Sequence, residues 1–114
     1  MWAARKGHGD VVGLLIELGA DINKATNDGW TPLHGAARYG HGDVVQMLVA
    51  GGADINKADN DGWTPLYVAA RYGHGDVVKV LLSLGADKTK ANRYGRTPLD
   101  VAENEDIKRM LRGE

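Results

Sequence analysis

The stretch DGWTPLHGAARYGHGDVV at residues 28–45 returns as DGWTPLYVAARYGHGDVV at residues 61–78. The tripeptide TPL begins at Thr31, Thr64 and Thr97, twice at an interval of 33 residues. That period is too long for one element and is the length of one helical-repeat unit. Residues 27–59 and 60–92 agree at 23 of 33 positions, which points to duplication and predicts an array of like units.

Each unit carries its own punctuation. Thr31 is a helix N-cap, and Pro32 after it has no amide to lose and a φ already near the helical value. Leu33, Ala36 and Ala37 follow at i, i+3 and i+4, a narrow apolar face on which two alanines permit close approach of another helix. Gly40 then ends the helix after Tyr39. Asp43 lies in the first turn of a second helix, where the macrodipole favours a carboxylate. Val44, Val45, Leu48 and Val49 form its buried face until Gly51 and Gly52 close it. The following ADINKADNDGW, residues 53–63, holds turn formers without helical periodicity, and its Asp61-Gly62 pair is a strong turn signal. Each unit therefore reads as helix, turn, helix and a projecting finger.

TPLH, AA, GH and GAD recurring at this period are similar to the ankyrin repeat, and the resemblance covers essentially the whole chain. It implies an all-α fold, an α-solenoid of stacked helix-turn-helix units with β-turn fingers, working by binding other proteins. The expected organisation is one domain over residues 1–114: a partial first repeat at 1–26, full repeats at 27–59 and 60–92, and a C-terminal cap at 93–114. The chain departs from the pattern at three places. The first unit begins at Met1, aligned with His34, without finger or TPL. His34 is followed by Tyr67 and Asp100 at the matching sites. The last unit has three residues fewer between Ala102 and Asp106 than lie between Ala36 and Asp43.

A polar end cap agrees with that last departure. Ile55, expected to be buried at the finger base, is matched by Lys88, and Val45 by Lys108, beside Glu103, Glu105, Arg109 and Arg112. A terminal repeat needs such a face because nothing covers it. The amino end instead offers Met1, Trp2, Ala3, Ala4, Val11, Val12, Leu15 and Ile16, an edge expected either to fray in a monomer or to pair in a weak homodimer.

Composition bounds the remaining possibilities. A length of 114 residues fits one domain. With 14 basic and 15 acidic side chains the formal charge is −1, so no global field draws the chain to nucleic acid or to a membrane surface. Cysteine is absent, which removes disulfides and thiolate chemistry. MWAARKGHGD lacks the apolar core of a signal peptide, and VVGLLI at residues 11–16 is far shorter than the ~18 apolar residues of a membrane span. A cytoplasmic or otherwise intracellular protein is the expectation.

Catalytic and cofactor chemistry finds little support. His8, His41 and His74 recur in GHGD with Asp10, Asp43 and Asp76, yet units about 10 Å apart cannot share an ion held at ~2 Å by each ligand. No metal, cofactor or catalytic residue is expected. The resemblance makes these histidines structural, hydrogen-bonded across their loop. His34, at the third helical position, reads as the partner of Thr31 in a capping box. Gly7, Gly9 and Gly13 miss the dinucleotide-binding spacing and follow no strand. Ser83 has no histidine near it in sequence.

By the resemblance, the partner-binding positions are the finger residues around Gly29 and the last turn of the first helix: Asn27, Asp28, Trp30, Arg38 and Tyr39, then Asn60, Asp61, Trp63, Arg71 and Tyr72, then Arg93, Tyr94 and Arg96. Arg5 and Lys6 match them in the partial unit. Trp, Tyr and Arg dominate, the types enriched at interface hot spots. The tryptophans have a second reading as shields of the finger, and Arg38 a second reading as a helix-dipole partner. Arg5, Lys6, Arg38, Arg71, Arg93 and Arg96 share the inferred concave side with Lys24, Lys57 and Lys90, whereas Glu17, Glu103, Glu105 and Glu114 lie elsewhere. A basic, aromatic groove on a near-neutral chain fits an acidic or mixed protein segment and not nucleic acid. Two alternatives stand beside this reading: a structural piece of a longer array, and an engineered, consensus-like binding scaffold, since the near-identity of the two full units fits design as well as recent duplication.

Overall fold

In the computed structural model residues 22–114 are described; the expectations for Met1 to Ala20, including the apolar amino edge, His8, Asp10, Arg5, Lys6 and the glycines at 7, 9 and 13, lie outside them. Six helices follow in three pairs: α1 (Pro32–Arg38) with α2 (Gly42–Ala50), α3 (Pro65–Arg71) with α4 (Gly75–Ser83), and α5 (Pro98–Val101) with α6 (Glu105–Arg112). No strand occurs among the described residues.

The TPL cap sets each first helix. The hydroxyls of Thr31, Thr64 and Thr97 accept from the amides of His34, Tyr67 and Asp100, with proline at the first helical position each time. Tyr39 is the C-cap of α1, and Gly40 turns the chain at φ +75° while His41 N–H returns to the Ala36 carbonyl at 3.0 Å. The second helices open differently from a side-chain cap: His41 and His74 occupy the N-cap positions without a capping side-chain bond, and Asp43 and Asp76 stay exposed in the first turn.

Stacking makes two layers. First helices pack on first helices, α1 on α3 and α3 on α5, and second on second, α2 on α4 and α4 on α6. The alanine pairs Ala36-Ala37 and Ala69-Ala70 are fully buried between layers with Leu33, Leu66, Val44, Val45, Val77, Val78 and Leu81. Val49 and Ile55 are only half-buried against this core, because each lies at the margin where helix or loop still faces water.

The fingers stack edge to edge. Each is closed by a turn bond, Gly29 N–H to Thr26 C=O at 2.9 Å, Gly62 to Asp59 at 3.0 Å and Gly95 to Asn92 at 3.0 Å. Successive fingers are joined by one backbone bond, Asn60 N–H to Asp28 C=O and Arg93 N–H to Asp61 C=O, both 3.0 Å. The approach is so close that a Cβ on Gly62, at φ +83°, would sit 2.8 Å from Asn92 Cα.

The cap departs from the units before it. Its first helix is a single turn of 4 residues ending at Ala102, whose backbone is extended. Asn104 then caps α6 by accepting from Ile107 N–H at 3.1 Å. The three missing residues are those that form the last turn and Gly-His corner elsewhere. Ile107 and Leu111 point into the core, whereas Lys88 and Arg109 are exposed and Lys108 and Arg109 pair with Glu105 and Asp106 on the outer side.

Candidate protein-binding face

Successive units are tied by polar bonds as well as by apolar contact, and these bonds decide which of the expected surface residues face outward. Asp59 is the central case. Its Oδ1 accepts from Asp61 N–H and Trp63 N–H at 2.9 and 2.8 Å, holding its own finger, while Oδ2 accepts from the Trp30 indole N–H at 2.9 Å. Asn92 repeats the first role, accepting from Tyr94 and Arg96 amides, and uses its Nδ2 to donate to the buried Tyr67 hydroxyl at 3.0 Å. Neither residue stands out by type in the sequence, although Thr26, Asp59 and Asn92 recur at 33-residue spacing three positions before the finger glycine, where a short polar side chain closes a turn on its own backbone.

His34 makes a second tie. Its Nδ1 accepts from Thr31 N–H at 3.1 Å, so the proton of the neutral ring is on Nε2, which donates to the Trp63 carbonyl 29 residues away at 2.8 Å. Burial holds its pKa below the ordinary 6.5, against the raising effect of that carbonyl. His74 acts likewise, donating from Nε2 to the Arg38 carbonyl of the preceding unit at 2.9 Å. Its bond therefore spans the junction between units and reaches beyond its own loop.

Twelve of the thirteen expected residues fall into three groups, and Trp30 stands apart from them. At the finger tips Asn27 and Asp28 are exposed and offer their carbonyls to Asn60, whose side-chain amide donates to Asn27 O at 2.8 Å. Asp61 pairs with Arg93 at 3.1 Å. In the second group the Arg38 guanidinium lies 3.8 Å from the centre of the Tyr72 ring in the next unit and 5.1 Å from Tyr39, so consecutive first helices present one continuous tyrosine-arginine stack. The third group surrounds a cavity at the cap junction and includes Trp63, Arg71, Tyr94 and Arg96 with Asp61 at its rim. The two tryptophans are placed alike: both rings are half-buried against the core, Trp30 5.4 Å from the His34 ring and Trp63 4.8 Å from Tyr67.

Repeat period, helix pairs, capped first helices and stacked turn fingers together describe one architecture, and the family model for ankyrin repeats (3 copies) matches the chain over residues 1–92 and again over 57–113. The chain belongs to the ankyrin-repeat family. Ankyrin repeats are generally protein-interaction modules and bind protein partners. A segment of 34 residues, 30% of this ankyrin chain, is 56% identical to protein phosphatase 1 regulatory subunit 12A of Mus musculus, and to the same protein of Rattus norvegicus at the same identity. The match spans 3% of the length of those relatives. Among the described residues of the ankyrin array no three histidine, aspartate or glutamate side chains gather as a metal site, and no helix is long and apolar enough to cross a membrane.

Proposed function

We propose that the chain is a non-catalytic binding module that takes an acidic or mixed segment of a partner protein along its fingers and the last turns of its first helices. The observation that carries this is the placement of exposed aromatic surface. Of the four large apolar side chains exposed among the described residues, three are Tyr39, Tyr72 and Tyr94, all on the finger-and-first-helix side and each with an arginine at its ring or in the next position. Tyrosine and arginine bury large areas with few rotors to order, which suits them to the centre of an interface. The arginines Arg38, Arg71, Arg93 and Arg96 give that side the positive potential that an acidic segment complements. Supporting the non-catalytic reading, His34 and His74 hold backbone carbonyls, and Ser83 donates to the Val80 carbonyl of its own helix at 2.7 Å.

The test compares faces. The chain is used as bait, the captured partner is identified and its affinity is measured for variants on the two sides. Tyr72→Ala or Arg38→Ala is expected to weaken binding by about 2 kcal/mol, roughly 30-fold, and Lys79→Ala or Gln46→Ala on the second helices to leave it unchanged. Losses of similar size on both sides would overturn the assignment of the face.

A further inference from the structure

The repeat register creates an asymmetry at the cap. Eight residues on from Thr64 stands Tyr72, whose ring lies 3.8 Å from the Arg38 guanidinium of the preceding unit. Eight residues on from Thr97 stands Glu105, which already opens α6, because α5 stops at Val101 and the turn that would bring a tyrosine is missing. Arg71 matches Arg38 one unit later, and no ring of the cap stacks on it; its guanidinium stands 6.0 Å from the Trp63 ring of its own unit. The missing turn leaves a cavity of about 230 Å³ lined by Trp63, Tyr67, Arg71, Tyr94, Arg96 and Val101, with Asp61 and Asn92 completing its wall.

The cavity's chemistry is specific. Its volume is below the ~300–1,000 Å³ of sites for drug-sized ligands and suits a single side chain. Arg71 and Arg96 form no ion pair among the described residues. The one carboxylate on the cavity wall, Asp61, is paired with Arg93 at 3.1 Å, and Asp100 accepts from the Thr97 amide at 2.9 Å. Both unpaired arginines bear on one spot: burial raises the Tyr67 phenol pKa, and the charges of Arg71 and then Arg96 oppose that rise. The same hydroxyl accepts from Asn92, which leaves its proton to donate. Two guanidinium groups and a phenol O–H thus offer donors to the cavity, and the rings of Trp63 and Tyr94, which line it as well, can cover the methylene stem of an acid.

We infer that this cavity between the third unit and the cap seats the carboxylate side chain of an aspartate or glutamate in an extended segment of the partner protein. The planar carboxylate matches the guanidinium fork, which binds it through two parallel hydrogen bonds. The inference rests on the finger-and-first-helix side being the binding side, and adds to it one anchor point with a stated chemistry that the preceding junction, closed by the Arg38–Tyr72 stack, does not offer.

The experiment is an NMR titration of the isotope-labelled full chain with a short peptide carrying two glutamates, against the same peptide with glutamine and with phosphoserine at those places. The Trp63 indole N–H and the Arg71 and Arg96 Nε–H signals are expected to shift with the glutamate peptide, and affinity to fall about tenfold with the glutamine peptide or in Arg71→Gln or Arg96→Gln. Lys79→Gln is expected to bind as the unaltered chain does. Both arginines of the test are exposed, and overlay of the unbound spectra verifies that each variant is folded. Equal binding of the glutamine peptide, indifference to both arginine substitutions, or no shift at millimolar peptide overturns the inference. Tighter binding of the phosphoserine peptide also overturns it, by assigning the donors to phosphate. Shifts centred on Arg38 and Tyr72 would overturn the cavity assignment while leaving the binding side as proposed.

Discussion

His34 is completely buried, and its hydrogen bonds depend on one protonation state. Nδ1 must keep its lone pair to accept from Thr31 N–H, while Nε2 holds the proton donated to the Trp63 carbonyl. Protonation would turn Nδ1 into a donor and end its acceptance from Thr31 N–H. Burial accordingly lowers the pKa in the folded chain below 6.5, and the unfolded chain, with the ordinary value, takes up the proton first as pH falls. The resulting stabilisation is fully present above pH 6.5 and is lost progressively between 6.5 and the lower folded value. His34→Gln provides the comparison, since an amide can donate to Trp63 and accept from Thr31 without titrating. Urea unfolding from about pH 7 to about pH 5 is expected to show the unaltered chain losing stability faster than the variant. Parallel loss in the two proteins would show that His34 does not carry this dependence.

The first helices were legible element by element because their signals are local. Thr31, Pro32 and Gly40 act within a few residues of themselves, and the helix runs from Pro32 to Arg38 as those three dictate. The cap was legible as a shortened unit for the same reason, since three missing residues can be counted. What that shortening opens could not be read from the count, because it depends on which ring a neighbouring unit would have supplied. The junction bonds were hidden for a related reason: the Trp30 indole meets Asp59 across 29 residues, and nothing local to either residue announces the other. At the next junction the partners change together, with Tyr67 for His34 and Asn92 for Asp59, and the bond runs from Asn92 to the phenol. Asp59 therefore serves both its own finger and the preceding one. Asp59→Ala leaves three donors without their acceptor and is expected to cost about 3 kcal/mol, whereas Asp59→Asn retains the Oδ1 acceptor, loses the indole bond alone and costs about 1 kcal/mol. Denaturant midpoints at constant slope check the ranking. Equal losses would mean that the finger bonds contribute nothing beyond the indole contact.

Across the whole molecule the two layers make stability a chain of nearest-neighbour terms, so the position of a unit decides how far damage to it spreads. The middle pair, α3 and α4, packs on helices of both neighbours, whereas among the described residues α5 and α6 pack chiefly on α3, α4 and each other. Leu81 is fully buried in α4 and Leu111 nearly so in α6. Either leucine replaced by alanine removes a comparable side chain and is expected to cost about 2 to 5 kcal/mol at the site. The consequences differ in reach. α6 can open with α5 while the remaining junctions hold, because Gly75 and the face of α4 that contacts Ile107 and Met110 form the last junction. α4 cannot open without severing both. Hydrogen exchange read at single amides distinguishes the two cases. Leu111→Ala is expected to speed exchange in α5 and α6 and to leave Val44, Val45 and Leu48 of α2 at their original rates, while Leu81→Ala speeds exchange from α2 through α6. If Leu111→Ala accelerated α2 as much as α6, the array would be opening as one cooperative block, and the nearest-neighbour account of its stability would have to be abandoned.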